Sequence, residues 1–285
     1  MISSPTNAET GESSLTFLRL GAGSRPAALA EAVTASGDDI TSAYYNPALL
    51  SLFNGKNQAA FMYNSYFQDV TQNYLSFATQ NSKYVFGGYL VLGKIDEIQR
   101  REGPDSLPNG TFEENNFTGA FMVARKFSRF DMGISLKYAY EKIDYATANS
   151  YMLDAGIHIP LSEQLNAGAA IKNLGSESKF VSESYPLSIE YRAGLEYLPE
   201  FFHGNIAFLG DAVFYSDLDP KVNLGAEYLY GQAFVLRAGY GFGYDSRGLS
   251  LGGGVAYRSI DFDYAMVSYK NDLGATHRFT VVLIF

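Results

Sequence analysis

The residues able to carry chemistry are few and scattered. Three histidines, His158, His203 and His277, stand far apart and form no metal-spaced set. There is no cysteine, which removes disulfides, thiolate-held zinc and thiol catalysis. No Gly-x-Ser-x-Gly elbow marks a serine nucleophile. "GYGFGYDSRG" (239–248) holds a Gly-x-Gly pair, but at a strand end rather than before a helix, so it reads as relief of crowding and not as a phosphate loop. Asp154, Asp211, Asp261, Asp263, Glu190 and Glu227 could act as paired carboxylates. Lys137, Arg192, Arg237, Arg258 and Arg278 are expected on the same face, which makes ion pairing the simpler reading. No enzyme, metal or cofactor is expected.

The elements that would position these charges are strands. The chain has 285 residues, 22 Tyr, 21 Phe, 28 Gly and only 18% charged residues. That is charge-poor against roughly 25% for soluble domains. From residue 57 onward apolar and polar residues alternate with period two. In 131–141, Met132, Ile134, Leu136, Tyr138 and Tyr140 oppose Asp131, Gly133, Ser135, Lys137 and Glu141. The same alternation runs through 151–159, 187–197, 222–230 and 260–266. One face is apolar with aromatic ends and the other is charged or glycine, as in a barrel with lipid outside and a polar lumen. Fourteen strands are expected, at about 57–67, 70–80, 82–99, 114–126, 129–145, 148–159, 163–173, 187–198, 203–216, 220–230, 232–242, 248–258, 259–269 and 276–285. Short turns alternate with long connections near 100–115 and 174–186. The chain closes on "THRFTVVLIF", an amphipathic strand ending on Phe285, like an outer-membrane assembly signal. The fold class is therefore all-β: a transmembrane outer-membrane barrel of about fourteen antiparallel strands.

The net charge of −9 and the lack of a basic run argue against a nucleic-acid partner. No run of 18 apolar residues is present, so no spanning helix is expected. The start, "MISSPTNAETGESS", lacks the basic and apolar regions of a signal peptide. For an exported protein the expectation is then a processed form with an added Met.

Ahead of the strands, "FLRLGAGSRPAALAEAVTASGDDITSAYYNPALLS" combines Phe17-Leu18, a small-residue stretch from Gly21 to Ala32, the acidic pair Asp38-Asp39, and Tyr45-Asn46-Pro47-Ala48. This block resembles the N-terminal signature of PorV/PorQ-type outer-membrane proteins, within the superfamily of FadL-like long-chain fatty-acid transporters. Residues 151–175 and 263–279 resemble later blocks of that family. The resemblance implies a small helical or irregular hatch inside the barrel. Physics agrees, because irregular backbone at membrane depth is tolerated only within protein or a watery cavity. Pro47 stops a helix there and Asn46 favours a turn. The expected division is a disordered tail at 1–14, a hatch at 15–56 and a barrel at 57–285. Phe17, Leu18, Leu20 and Arg25 are the expected hatch contacts, with Asp154, Arg192, Arg237, Asp261 and Asp263 opposite them. Tyr45, Asn46, Pro47 and Ala48 form the hatch motif.

Three functions are weighed, and the secretion-linked one is placed ahead. The resemblance implies an adaptor or accessory component for type IX-like secretion or surface attachment, with secreted cargo proteins as partners. The alternatives are passive transport of hydrophobic small molecules, with the hatch as gate, and a structural barrel among other envelope-complex subunits. Outer-membrane lipid is a partner in each. Transport would need an apolar pocket or a lateral gap, for which Gly87-Gly88 and Gly252-Gly253-Gly254 are candidates. The adaptor would need the two long loops.

Overall fold

A computed structural model describes residues 13–37, 39–66, 70–101, 103, 107–180, 183–200, 205–231 and 233–285. Most of the expected tail, together with Asp38 and His203, lies outside the described residues.

The strands are β1 (Asn57–Ser65), β2 (Val70–Asn81), β3 (Tyr84–Gln99), β4 (Thr111–Lys126), β5 (Asp131–Ile143), β6 (Ala146–Pro160), β7 (Leu165–Gly175), β8 (Ser178–Phe180), β9 (Glu183–Tyr185), β10 (Glu190–Tyr197), β11 (Ile206–Tyr215), β12 (Lys221–Tyr230), β13 (Phe234–Phe242), β14 (Arg247–Tyr257), β15 (Ile260–Tyr269) and β16 (Ala275–Ile284). Fourteen of them close into an antiparallel barrel, β1 pairing with β16 from Gln58↔Ile284 to Ser65↔His277. All fourteen expected strands form, and none moves by more than three residues at either end. The small β8–β9 hairpin inside the long 176–189 connection was not expected.

Alternation set by two different solvents explains the strands. Along β5, Asp131, Gly133, Ser135, Lys137, Ala139 and Glu141 are buried inward. Met132, Ile134 and Leu136 stand exposed outside. Exposed aromatics gather in two belts. Tyr84, Tyr197, Tyr230 and Tyr257 lie near the end that holds Asn57 and Phe285, the terminus end. Tyr63, Tyr151, Tyr191 and Phe242 lie toward the opposite, loop end. This is the surface of a transmembrane barrel, with aromatic girdles flanking an apolar band.

The alternation fails at two places. Arg258, expected inside, sits exposed in the β14–β15 turn at φ 58°, its guanidinium over the Tyr257 ring. Leu187, expected outside, is buried, because the chain at 186–189 has left the sheet. Ser14 bridges Leu187 there, and its N–H donates to the Pro186 carbonyl at 3.2 Å.

No described helix is long and apolar enough to cross a membrane. The helices among the described residues include 3₁₀ turns at Thr16–Leu20, Ile40–Tyr44 and Pro47–Ser51 and the α-helix Ser24–Ala28, all short.

Candidate functional site: the filled lumen

Residues 14–37 and 39–53 run inside the barrel from the loop end to the terminus end. Almost every one of them is buried. Several inward glycines make room for their backbone. A Cβ on Gly133 would overlap the Pro47 carbonyl, one on Gly156 the Asn46 carboxamide, one on Gly168 the Thr34 carbonyl, and one on Gly239 the Leu29–Ala30 peptide. Lumenal glycine is what lets an irregular segment approach the wall this closely.

The Tyr45–Ala48 motif lies at the centre of this packing. Asn46 is extended (φ −145°) and caps the Pro47–Ser51 turn, its Oδ1 accepting from the Ala48 N–H at 3.0 Å. Its Nδ2 donates to the Thr34 carbonyl at 2.8 Å and to the Ile157 carbonyl of β6 at 3.0 Å. One carboxamide thus ties two parts of the inner segment to the wall. Pro47 occupies the first helical position, where its missing N–H costs nothing. The Tyr45 hydroxyl donates to the Ala22 carbonyl and accepts from the Ala22 N–H, both at 3.0 Å. Arg192 and Lys172 lie over its ring at 5.1 and 5.5 Å. Ala48 is wholly buried.

Phe17 and Leu18 pack with Leu15, Ala139, Met152 and Leu187 near the loop end, and Leu20 lies against this cluster. The Tyr44 hydroxyl donates to the Leu18 carbonyl at 2.6 Å.

The charged candidates split into two networks. Arg25 grips Glu227 with both Nε (3.0 Å) and Nη2 (3.1 Å), and Nη2 also meets Ser36 Oγ at 2.8 Å. Glu227 is shared with Arg237, which pairs onward with Asp263. Glu227 thus links Arg237 and Asp263 to Arg25 of the inner segment. Asp261 and Asp263 line, with Arg25 and Asp39, a cavity of about 220 Å³ at the terminus end. In the second network, Arg192 donates to Thr34 Oγ1 at 2.9 Å and to the Glu31 carbonyl, and pairs with Asp211 (2.9 Å) and Glu190 (2.7 Å). Asp154 instead pairs within the wall, with Lys137 at 2.8 Å and the Asn173 N–H at 2.8 Å.

Sequence reasoning missed several anchors, these among them. Thr34 gives its hydroxyl and N–H to Asp211, Glu196 accepts from Ser36, and Glu31 pairs with Arg247 at 3.2 Å. The inner segment has no period, so nothing local marks these residues. His158 pairs with Asp131 in the wall at 3.1 Å, and His277 with the Tyr264 hydroxyl at 2.8 Å.

The candidate lateral gaps are shut. β3 pairs with β2 and β4 without interruption across Gly87 and Gly88, as β14 does with β13 and β15 across Gly252–Gly254. Outside Gly88 the wall carries an apolar groove of about 510 Å³, bordered by Leu75, Phe77, Leu90 and Phe121. Inside, Leu50 packs against Gly87.

No family model matches the chain, and no curated protein matches it. Solved structures do. The toluene transporter TbuX of Ralstonia pickettii aligns at TM-score 0.67 and 12% identity, over 92% of this chain and 97% of that one. The toluene transporter TodX of Pseudomonas putida aligns at 0.67 and 12%, over 93% and 99%. A FadL homologue of Pseudomonas aeruginosa aligns at 0.59 and 10%, over 91% and 97%. None of these comparisons points to PorV or PorQ in particular. At such identities the likeness speaks for architecture alone: the chain is a closed fourteen-stranded antiparallel barrel that shares its fold with these proteins.

Proposed function

We propose that this chain lies in the outer membrane and passes small hydrophobic molecules without catalysis, residues 15–56 acting as a hatch. One observation carries the reading. The lumen of a hydrocarbon-transporter fold is filled by its own N-terminal segment, held by hydrogen bonds and ion pairs that can exchange. The apolar groove over Gly88 lies on the lipid side of the closed wall that Leu50 supports from within, and gives such a molecule an apolar surface to meet there. The adaptor reading has no comparison behind it; loops 100–110 and 176–189 would be its surfaces.

The test uses the absence of native cysteine. Ser24 Oγ of the hatch and Thr280 Oγ1 of β16 stand 2.7 Å apart. Ser24→Cys with Thr280→Cys places two sulfurs where a disulfide can lock hatch to wall. Cells carrying the native chain should take up toluene faster than cells without it. The oxidised pair should abolish the gain and reduction restore it. Equal uptake with and without the chain would dismiss the proposal.

A further inference from the structure

Between the hatch and β11–β16, at the loop end, lies a cavity of about 270 Å³. Four cations line it, Arg19, Lys221, Arg247 and Arg278, against two carboxylates, Glu31 and Asp245. A local excess of positive charge in a chain of net −9 needs a reason.

Part of that charge is already used. Arg19 pairs with Asp217, and Lys221 donates to the Gly243 carbonyl. Arg247 meets Glu31 through Nη1, but its Nε has no partner. Arg278 is 2% exposed. It donates through Nη2 to the Leu20 carbonyl, while Nε and Nη1 have no partner. Buried donors of a charged group are costly to leave unmade, more so than neutral ones. Arg247 and Arg278 both line this cavity and both keep buried donors unmet, and an oxyanion is the strongest acceptor for such donors.

The remainder of the lining is aromatic and apolar. Tyr66, Tyr215, Tyr244 and Tyr269 contribute rings, with Leu20 and Leu218 between them. Tyr66 and Tyr269 meet edge to face and share a hydrogen bond of 3.0 Å between their hydroxyls. Lys221 and Arg247 both lie over the Tyr244 ring, at 5.5 and 5.4 Å. A free phosphate would leave these rings without a partner, and an uncharged hydrocarbon would leave the guanidinium donors unmet. The volume sits at the small end of ligand pockets, which suits a single ring better than a long chain.

We propose that this loop-end cavity binds a small aromatic carboxylate, its oxygens on Arg278 and Arg247 and its ring among the tyrosines. The proposal deepens the passage reading and relies on it only for the ligand's route, not for binding.

The test is calorimetric titration of the purified full chain with benzoate, and with inorganic phosphate and hexanoate as comparators. Benzoate should bind the native chain and bind Arg278→Gln at least about tenfold more weakly, with Arg278→Lys between them. Arg247→Gln should weaken it too, and gives the same readout if Arg278→Gln does not fold. Benzoate that fails to bind, or binds both Gln variants as well as the native chain, overturns the site. Phosphate or hexanoate binding as tightly as benzoate overturns the aromatic assignment. Toluene uptake by cells separates the two readings. Uptake retained without benzoate binding removes this site alone, and benzoate binding without uptake removes passage alone.

Discussion

Asn46 Oδ1 occupies the space that a side chain on Gly156 would fill. The two residues are 110 positions apart, one in the hatch and one in β6, and they fit only because one of them lacks a Cβ. Gly156→Ala should therefore displace the hatch while leaving the β5–β6 and β6–β7 ladders intact. Overpacking of this kind costs typically about 1–3 kcal/mol. The variant should still run as a folded barrel on unheated gels, yet show raised conductance in planar bilayers. Native conductance would mean that the hatch accommodates the methyl group.

Asn46→Ala removes three hydrogen bonds at once, those to Thr34, Ile157 and Ala48. Each buried group left unpaired costs about 1–3 kcal/mol. Hydrogen exchange at Ala48 and Leu49 should accelerate well beyond any change in the strands. Asn46→Asp keeps the acceptor for Ala48 but loses both donors, so it should not rescue the hatch. Rescue by Asp would show that the cap to Ala48 alone matters.

The Arg25–Glu227 pair should behave as a unit. Removing one partner of a buried ion pair leaves an unpaired charge, at a cost of about 3–5 kcal/mol. Arg237 also touches Glu227, so Arg25→Met leaves that carboxylate partly satisfied. Glu227→Gln takes a carboxylate from two guanidinium groups at once, leaving Asp263 to Arg237 and Ser36 to Arg25, and should be the more damaging single change. A double-mutant cycle on the denaturation midpoint should show coupling. Strict additivity would break the network apart.

Acid should loosen the loop-end anchor. Burial alone would raise the Asp217 carboxyl. Hydrogen bonds from Ser13 and Ser188 and the Arg19 guanidinium outweigh that and hold it below the ordinary aspartate value. A lowered native value contributes stability that is present above the unfolded value, about 3.9, and is lost as pH falls through the native one. A spin label at position 16, an exposed neighbour of Arg19 outside the anchor, should be immobile at neutral pH and gain mobility only below about pH 4. In Asp217→Asn it should be mobile throughout. Release near pH 6 would assign the anchor to another group.

The strands were readable because lipid and lumen impose opposite demands on successive residues, and Leu136 beside Lys137 records both. The Asn46-Pro47 turn was readable because its backbone preference is local. The partners of Thr34, Glu31 and Ser36 were not. They depend on which lumenal side chain the barrel register brings opposite an aperiodic segment, and that register forms over separations such as Thr34 to Asp211. Arg258 misled because alternation was carried through a turn, where left-handed backbone resets the phase.

The hatch leads directly into β1, and β1 is the strand that joins β16 to shut the cylinder. Its contacts reach both halves of the wall, from Gly133 and Gly156 on β5 and β6 to Gly239 and Thr280 on β13 and β16. A closed ring with a filled bore could admit this segment only by threading. If instead the sheet curls around the segment while its two edges are still apart, no threading is needed and the β1–β16 seam is the last to zip. On that route the N-terminal segment is a mandrel for the wall, and its lumenal contacts form before the cylinder closes.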